Sequence, residues 1–252
     1  MPQTERMAQD QVAVVTGASR GIGRAIAIEL AAAGYTVIGV ARSAERLQQV
    51  AGTVGARGGQ FRIAVADLTH DSAITDIGDV VADTMKPLGV LVNAAGVIVR
   101  SEPPDVDPLD FDLMLRLNVR APLLLSQALY GSFAPEGGSI VNVASIAAEE
   151  VTRAPVAYQA SKAALVQLTR GLAIRWGPQI RVNAVGPGYI ETDLNRQWLS
   201  DPDNLAYVER HTALNRVGAP EDVAGVVRFL VSAEAAYITG QHILVDGGWH
   251  TP

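Results

Sequence analysis

Tyr158 and Lys162 stand four residues apart, and a phenol beside an ammonium is a pair able to move a proton. Pro155 is placed to open a helix, since a proline costs no hydrogen bond in the first turn. Leu165, Leu168 and Leu172 then recur at helical spacing, which puts Tyr158 and Lys162 on one face near the helix start. The ammonium favours the phenolate, and the positive end of the helix pushes the same way. Bringing a tyrosine from ~10 to near neutrality takes roughly 4 kcal/mol, more than one cation supplies, so a second positive charge is expected nearby. Ser145 ends a β-branched run that begins at Ser139 and so sits at the end of a strand. A tyrosine and a lysine four apart are ordinarily just helical neighbours. The elements around them decide whether this pair is more.

Those elements alternate. A β-branched run at 11–16 enters a glycine turn at 17–23 and then an alanine-rich helical pattern to about 33. A second strand at 35–40 completes a βαβ unit, which the right-handed crossover rule places in a parallel sheet. Further strands are expected at 61–66, 90–92, 139–144, 180–185 and 242–245, with helices at about 43, 71–85, 110–130, 155–176 and 219–231 between them. Residues 189–217 break the alternation, where doubly wound sheets place substrate loops. The chain reads as α/β, with a tail at 1–10 expected to be disordered and one domain at 11–252.

Gly17, Gly21 and Gly23 lie between a strand and a helix. There they let backbone N–H groups approach a pyrophosphate, whose charge the helix N-terminus stabilises. The end of the second strand selects the nucleotide, because an acid there holds a ribose 2′-hydroxyl and an arginine suits a 2′-phosphate. This chain has Ala41, Arg42 and Ser43, and Arg20 in the glycine turn offers a second cation. NADP(H) is therefore the preferred cofactor and NAD(H) the alternative.

The 252 residues are 48% hydrophobic and 18% charged, which suits one large core. A net charge of -6 argues against nucleic acid or an anionic membrane as partner. No apolar run reaches the length of a membrane span, and the first ten residues are polar. With no cysteine the chain suits a reducing compartment, and a cytoplasmic location is expected. His70, His211, His242 and His250 are scattered without ligand spacing, so no metal site is expected.

Taken together, these motifs resemble the short-chain dehydrogenase/reductase family, in its branch of single-domain enzymes, from Val12 to Gly248. The resemblance rests on Thr16 to Gly23, Asp67-Leu68, Asn93-Ala-Ala-Gly96, Asn118, Ser145, Tyr158-x3-Lys162 and Pro187-Gly188. Ala94 departs from it, standing where many relatives carry a second asparagine. It implies a three-layer doubly wound Rossmann fold whose seven-stranded parallel sheet has the order 3-2-1-4-5-6-7.

The resemblance also implies roles. Tyr158 would be the general acid in carbonyl reduction and the base in the reverse direction. Lys162 would hold the nicotinamide ribose and lower the tyrosine pKa, and the oxidised nicotinamide would be the second positive charge. Ser145 would donate to the substrate oxygen, and Asn118 would support a water on a proton path. Gly17, Ser19, Gly21, Ile22 and Gly23 would cradle the pyrophosphate, with Arg20, Arg42 and Ser43 at the adenosine phosphate. Asp67 and Leu68 would meet the adenine, Asn93, Ala95 and Gly96 the adenosine ribose, and Pro187, Gly188, Ile190 and Thr192 the nicotinamide carboxamide.

The partner expected is a small-molecule carbonyl or alcohol. The stretch 93–101 and the ending 245–249 resemble sugar-acid reductases, in which Arg100 would meet a substrate carboxylate. The glycine turn and Ala41-Arg42 are similar to 3-oxoacyl-thioester reductases, the alternative. A nucleotide-binding regulator without chemistry is a third reading, disfavoured because the tyrosine and lysine are both kept. Relatives are commonly homotetramers, and the apolar residues on several faces of the Tyr158 helix (Ala163, Ala164, Leu165, Val166, Leu168) fit that expectation.

Overall fold

The computed structural model describes residues 10–101, 103–193 and 195–249. Of the expected tail only Asp10 is described, in a turn; residues 1–9, and His250 at the other end, lie outside the described residues.

Seven strands form one sheet: β1 Val12–Thr16, β2 Thr36–Ala41, β3 Gln60–Val65, β4 Leu88–Asn93, β5 Gly138–Val143, β6 Ile180–Pro187 and β7 His242–Val245. Their order is β3-β2-β1-β4-β5-β6-β7, and every neighbouring pair is parallel, as the resemblance implies. All five residues of β1 are buried, which is why this strand reads as an unbroken apolar run. Successive residues nevertheless serve opposite faces. Ala13, Val15, Val90 and Val92 pack with Ile26, Leu30, Val223 and Val227 on one side. Val12, Val14 and Leu91 pack with Ile77, Leu125 and Leu172 on the other.

The helices are α1 Gly21–Ala32, α2 Ala44–Gly55, α3 Ser72–Ala82, α4 Pro108–Leu115, α5 Ala121–Ala128, α6 Val156–Trp176, α7 Arg196–Leu199, α8 Pro202–His211 and α9 Pro220–Val231, of which α1, α2, α3, α5, α6 and α9 supply those faces. Ser43 caps α2 by accepting from the Arg46 N–H at 3.3 Å. The single helix expected at 110–130 is two helices, α4 and α5, joined by a π-helical turn at Arg116–Arg120. Within this wider turn Asn118 faces inward and is buried. The break expected at 189–217 holds α7 and α8, and Ile190 pairs in an isolated bridge with Gly218. Strand order reverses between β1 and β4, and the crevice this opens at the strands' carboxyl ends is where ligands lie in such sheets.

Candidate active site

The glycine turn connects β1 to α1 at that crevice. Gly17 has φ +67°, a conformation that favours glycine, and an added Cβ there would lie 3.0 Å from the Ala94 carbonyl oxygen. A Cβ on Gly23 would run into the Gly17 carbonyl, so α1 approaches the turn only because this residue lacks a side chain. Thr16, which opens the motif but has no role readable from the sequence, fixes the turn against β4: its Oγ1 accepts from the Ala94 and Ala95 N–H groups at 3.0 Å each.

Above this turn is a cavity of ≈ 570 Å³. Gly17, Ser19, Arg20, Gly21, Ile22, Gly23, Arg42, Ser43, Asp67, Leu68, Ala95, Gly96 and Thr192 line it, so most of the expected cofactor residues meet in one place. Its size and chemistry fit a dinucleotide, with a backbone cradle at one end and cations at the other. The Arg42 side chain is 76% exposed, with the Asp67 carboxylate 4.0 Å away. Thr69 donates its N–H and hydroxyl to Asp67 at 3.0 and 2.8 Å, and the backbone bond is the main cause of the lowered Asp67 pKa. Asp193 stands near three arginines: Arg196 at 3.0 Å, Arg46 at 3.5 Å and Arg20 at 3.9 Å.

Asn93 lies elsewhere. Its side chain points into the protein and donates to Asn142 Oδ1 at 2.8 Å and Ser126 Oγ at 3.3 Å. It is 3% exposed and its amide nitrogen is committed, so this side chain has no donor left for a ligand. Pro187 and Gly188 close β6, where the Gly188 N–H donates to the Val245 carbonyl at 3.0 Å. Ile190 is buried. Asn195, also not foreseen, braces this segment by accepting from the Thr192 N–H at 2.9 Å and donating to the Ile190 carbonyl at 2.7 Å.

The residues expected to act as acid and base gather beyond the carboxyl end of β5. Ser145 has an extended backbone, and its Oγ accepts from the Ala147 N–H at 3.2 Å, capping a short turn over Ile146–Ala148. Tyr158 opens toward it from the first turn of α6. Burial pushes the Tyr158 hydroxyl up to about 12, and a hydrogen bond with Ser145 pulls the other way. Lys162 is 4% exposed, donates from Nζ to the Val143 carbonyl at 2.8 Å, and is lowered by burial to about 8. Its nitrogen lies 5.6 Å from the centre of the Tyr158 ring. Without a second cation the phenol is a proton donor at neutral pH, and the lysine alone does not make it a phenolate.

Asn118 is held by three bonds. Its Oδ1 accepts from the Val97 N–H at 2.9 Å, and its amide donates to the Val97 carbonyl at 2.9 Å and to Ser161 Oγ at 3.0 Å. Ser161 in turn donates to the Tyr158 carbonyl at 2.7 Å, so the π-helical turn, the β4 loop and α6 are tied together. Asn118 Oδ1 and Lys162 Nζ flank the bare side of Gly96, at 3.2 and 3.5 Å from where a Cβ would sit. Such a site can donate a proton to a carbonyl oxygen, hold its developing charge and seat a dinucleotide beside it. Among the described residues no three His, Cys, Asp or Glu side chains cluster as a metal site would need.

Comparison with known proteins agrees with this geometry. A family model described as enoyl-(acyl carrier protein) reductase matches residues 17–250. The chain is 33% identical to gluconate 5-dehydrogenase of Gluconobacter oxydans, over 94% of this chain and 93% of that one. It is 37% identical to the 3-oxoacyl-(acyl-carrier-protein) reductase FabG of Aquifex aeolicus, over 95% and 97%. Among solved structures, a short-chain dehydrogenase from Burkholderia cenocepacia in complex with NADP superimposes with a TM-score of 0.90 at 38% identity, covering 97% of this chain and 99% of that one. With its strand order, glycine turn and near full-length similarity, the chain belongs to the short-chain dehydrogenase/reductase family of NAD(P)-dependent oxidoreductases.

Proposed function

We propose that this protein interconverts a ketone and a secondary alcohol with NADP(H), using Tyr158 as the general acid in reduction and the base in oxidation. The observation that carries the reading is the convergence of Ser145, Tyr158 and Lys162 beside a dinucleotide-sized cavity. When bound, the dinucleotide supplies or accepts the hydride. The glycine turn would hold its pyrophosphate, with Arg20 and Arg42 at the adenosine phosphate, and the NADP complex of the Burkholderia relative supports that choice.

Tyr158, protonated across neutral pH, delivers its proton to the carbonyl oxygen as charge builds there. Ser145 keeps its hydroxyl within hydrogen-bonding reach of the same oxygen. Lys162 holds the ribose with its buried ammonium, and Asn118, fixed at Val97 and Ser161, steadies the water that returns a proton to Tyr158. Alcohol oxidation needs the phenol lowered from about 12, which the charge of an oxidised nicotinamide favours. The relatives' names point to two carbonyl classes, a sugar acid and an acyl thioester. Spectrophotometric assay of NADPH with 5-ketogluconate, acetoacetyl thioesters and simple ketones separates them, and NADPH binding without turnover on any would leave the regulator reading standing.

We also propose a homotetramer. All four residues of the edge strand β7 are only partly buried, and Val156 and Ile174 on α6 are 53% and 82% exposed. A monomer mass by light scattering at micromolar concentration would contradict it. Among the described residues no helix is long and apolar enough to cross a membrane, and the absence of cysteine supports a cytoplasmic place.

A further inference from the structure

The three loops that carry the site each continue a few residues past it, and they end in a common chemistry. Arg100 lies four residues beyond Gly96, Arg153 five before Tyr158, and Tyr189 two after Pro187. Tyr189 is the centre of an aromatic wall: its ring is 4.8 Å from Trp249 and stacks on Trp198 at 5.5 Å. Trp249 continues to Tyr207 at 5.6 Å and His211 at 5.4 Å. The Arg153 guanidinium lies over the Tyr207 ring, with Cζ 3.9 Å from its centre.

Neither Arg100 nor Arg153 has a carboxylate partner among the described residues, although acids outnumber bases in this chain, 26 to 20. Burial is the largest influence on the Tyr189 hydroxyl and raises its pKa, while Arg153 and Arg100 oppose that rise. The loop bearing Arg153 is fixed, since the Gln159 amide donates to the Thr152 and Ala154 carbonyls at 3.3 and 2.6 Å. A guanidinium stacked on a ring keeps its donors in its own plane, the arrangement that meets a planar carboxylate edge to edge.

We infer that Arg153, held on the aromatic wall that Tyr189 centres, forms an anion subsite that takes the carboxylate of a keto or hydroxy acid whose reacting carbon faces Tyr158. The inference rests on the oxidoreductase reading above. Arg153 fixes the carboxylate in direction, and the aromatic wall holds the carbon chain between the two ends.

The test pairs acetoacetate, levulinate and 5-ketogluconate with their methyl esters as substrates for the NADPH-loaded enzyme. The best acid is expected to exceed its ester by at least about tenfold in kcat/KM, the scale of one charge-assisted contact. Arg153→Gln should abolish that preference mainly through KM, cost the esters far less than the acids, leave NADPH affinity unchanged, and be only partly rescued by Arg153→Lys. Equal turnover of acids and esters, or equal loss on both in Arg153→Gln, overturns the subsite while the reductase reading stands. NADPH binding without turnover of either set overturns both.

Discussion

The Lys162 ammonium is bonded to the carbonyl of Val143 at 2.8 Å and stands 5.6 Å from the centre of the Tyr158 ring. The backbone of β5 therefore sets the position of this cation, and the tyrosine meets it at one remove. Burial acts on both groups against charge, raising the phenol to about 12 and lowering the amine to about 8. The resting protein is thus set to donate a proton.

That arrangement gives a pH dependence. Lys162 is charged below about 8 and loses its proton above it, whereas Tyr158 stays protonated to about 12. Ketone reduction is expected to hold level from about pH 6 to 7.5 and to fall above about 8 as the ribose loses its ammonium. Stability moves the other way: the unfolded lysine keeps its proton up to 10.5, so folding gains stability as pH rises from about 8 to 10.5. Rate profiles and denaturant titrations across this range check both signs. A reduction rate level to about pH 10 would remove the lysine from this role.

Asn118 carries a prediction about the fold. Its side chain satisfies both backbone groups of Val97 and the hydroxyl of Ser161. Asn118→Ala strands buried polar groups, and a loss of roughly 2–4 kcal/mol is expected in denaturant titration. Arg116→Ala, at an exposed position in the same π-helical turn, should change stability by less than about 0.5 kcal/mol.

Cofactor choice is expected to follow from Arg42 and Arg20, which line the cavity. Arg42→Asp is expected to shift preference toward NADH by about tenfold or more, the cost of replacing a charge-assisted contact with a repulsion. Asp193→Asn removes a carboxylate 3.9 Å from Arg20 and 3.5 Å from Arg46. It should therefore lower KM for NADPH by roughly two- to fivefold, within the range of exposed ion pairs, and leave NADH unchanged. Steady-state kinetics with both cofactors measures each effect, and equal changes for NADH and NADPH would place the 2′-phosphate elsewhere.

Much of this was legible in the residues. Strands of a parallel sheet are buried on both faces, so β1 and its neighbours read as short apolar runs, with β1 ended by Gly17 and β2 set off by Gly34 before it. Tyr158 and Lys162 follow a local helical period and were placed correctly on α6. What escaped depends on contacts far apart in sequence. The π-helical turn exists where Asn118 meets Val97 and Ser161, 21 and 43 residues away. Asn93 turns inward because Asn142 on the paired strand receives its amide. Arg153 gained its meaning from Tyr207, which lies in the stretch with the weakest periodicity.

The central claim is that Tyr158 transfers the proton. Tyr158→Phe keeps the ring and removes only the hydroxyl, so NADPH affinity, followed by its fluorescence on binding, is expected to remain within about twofold. Turnover of the best ketone should fall by at least about a hundredfold, the usual contribution of a positioned acid. A Tyr158→Phe protein that binds NADPH normally and retains most of its kcat would contradict the assignment directly.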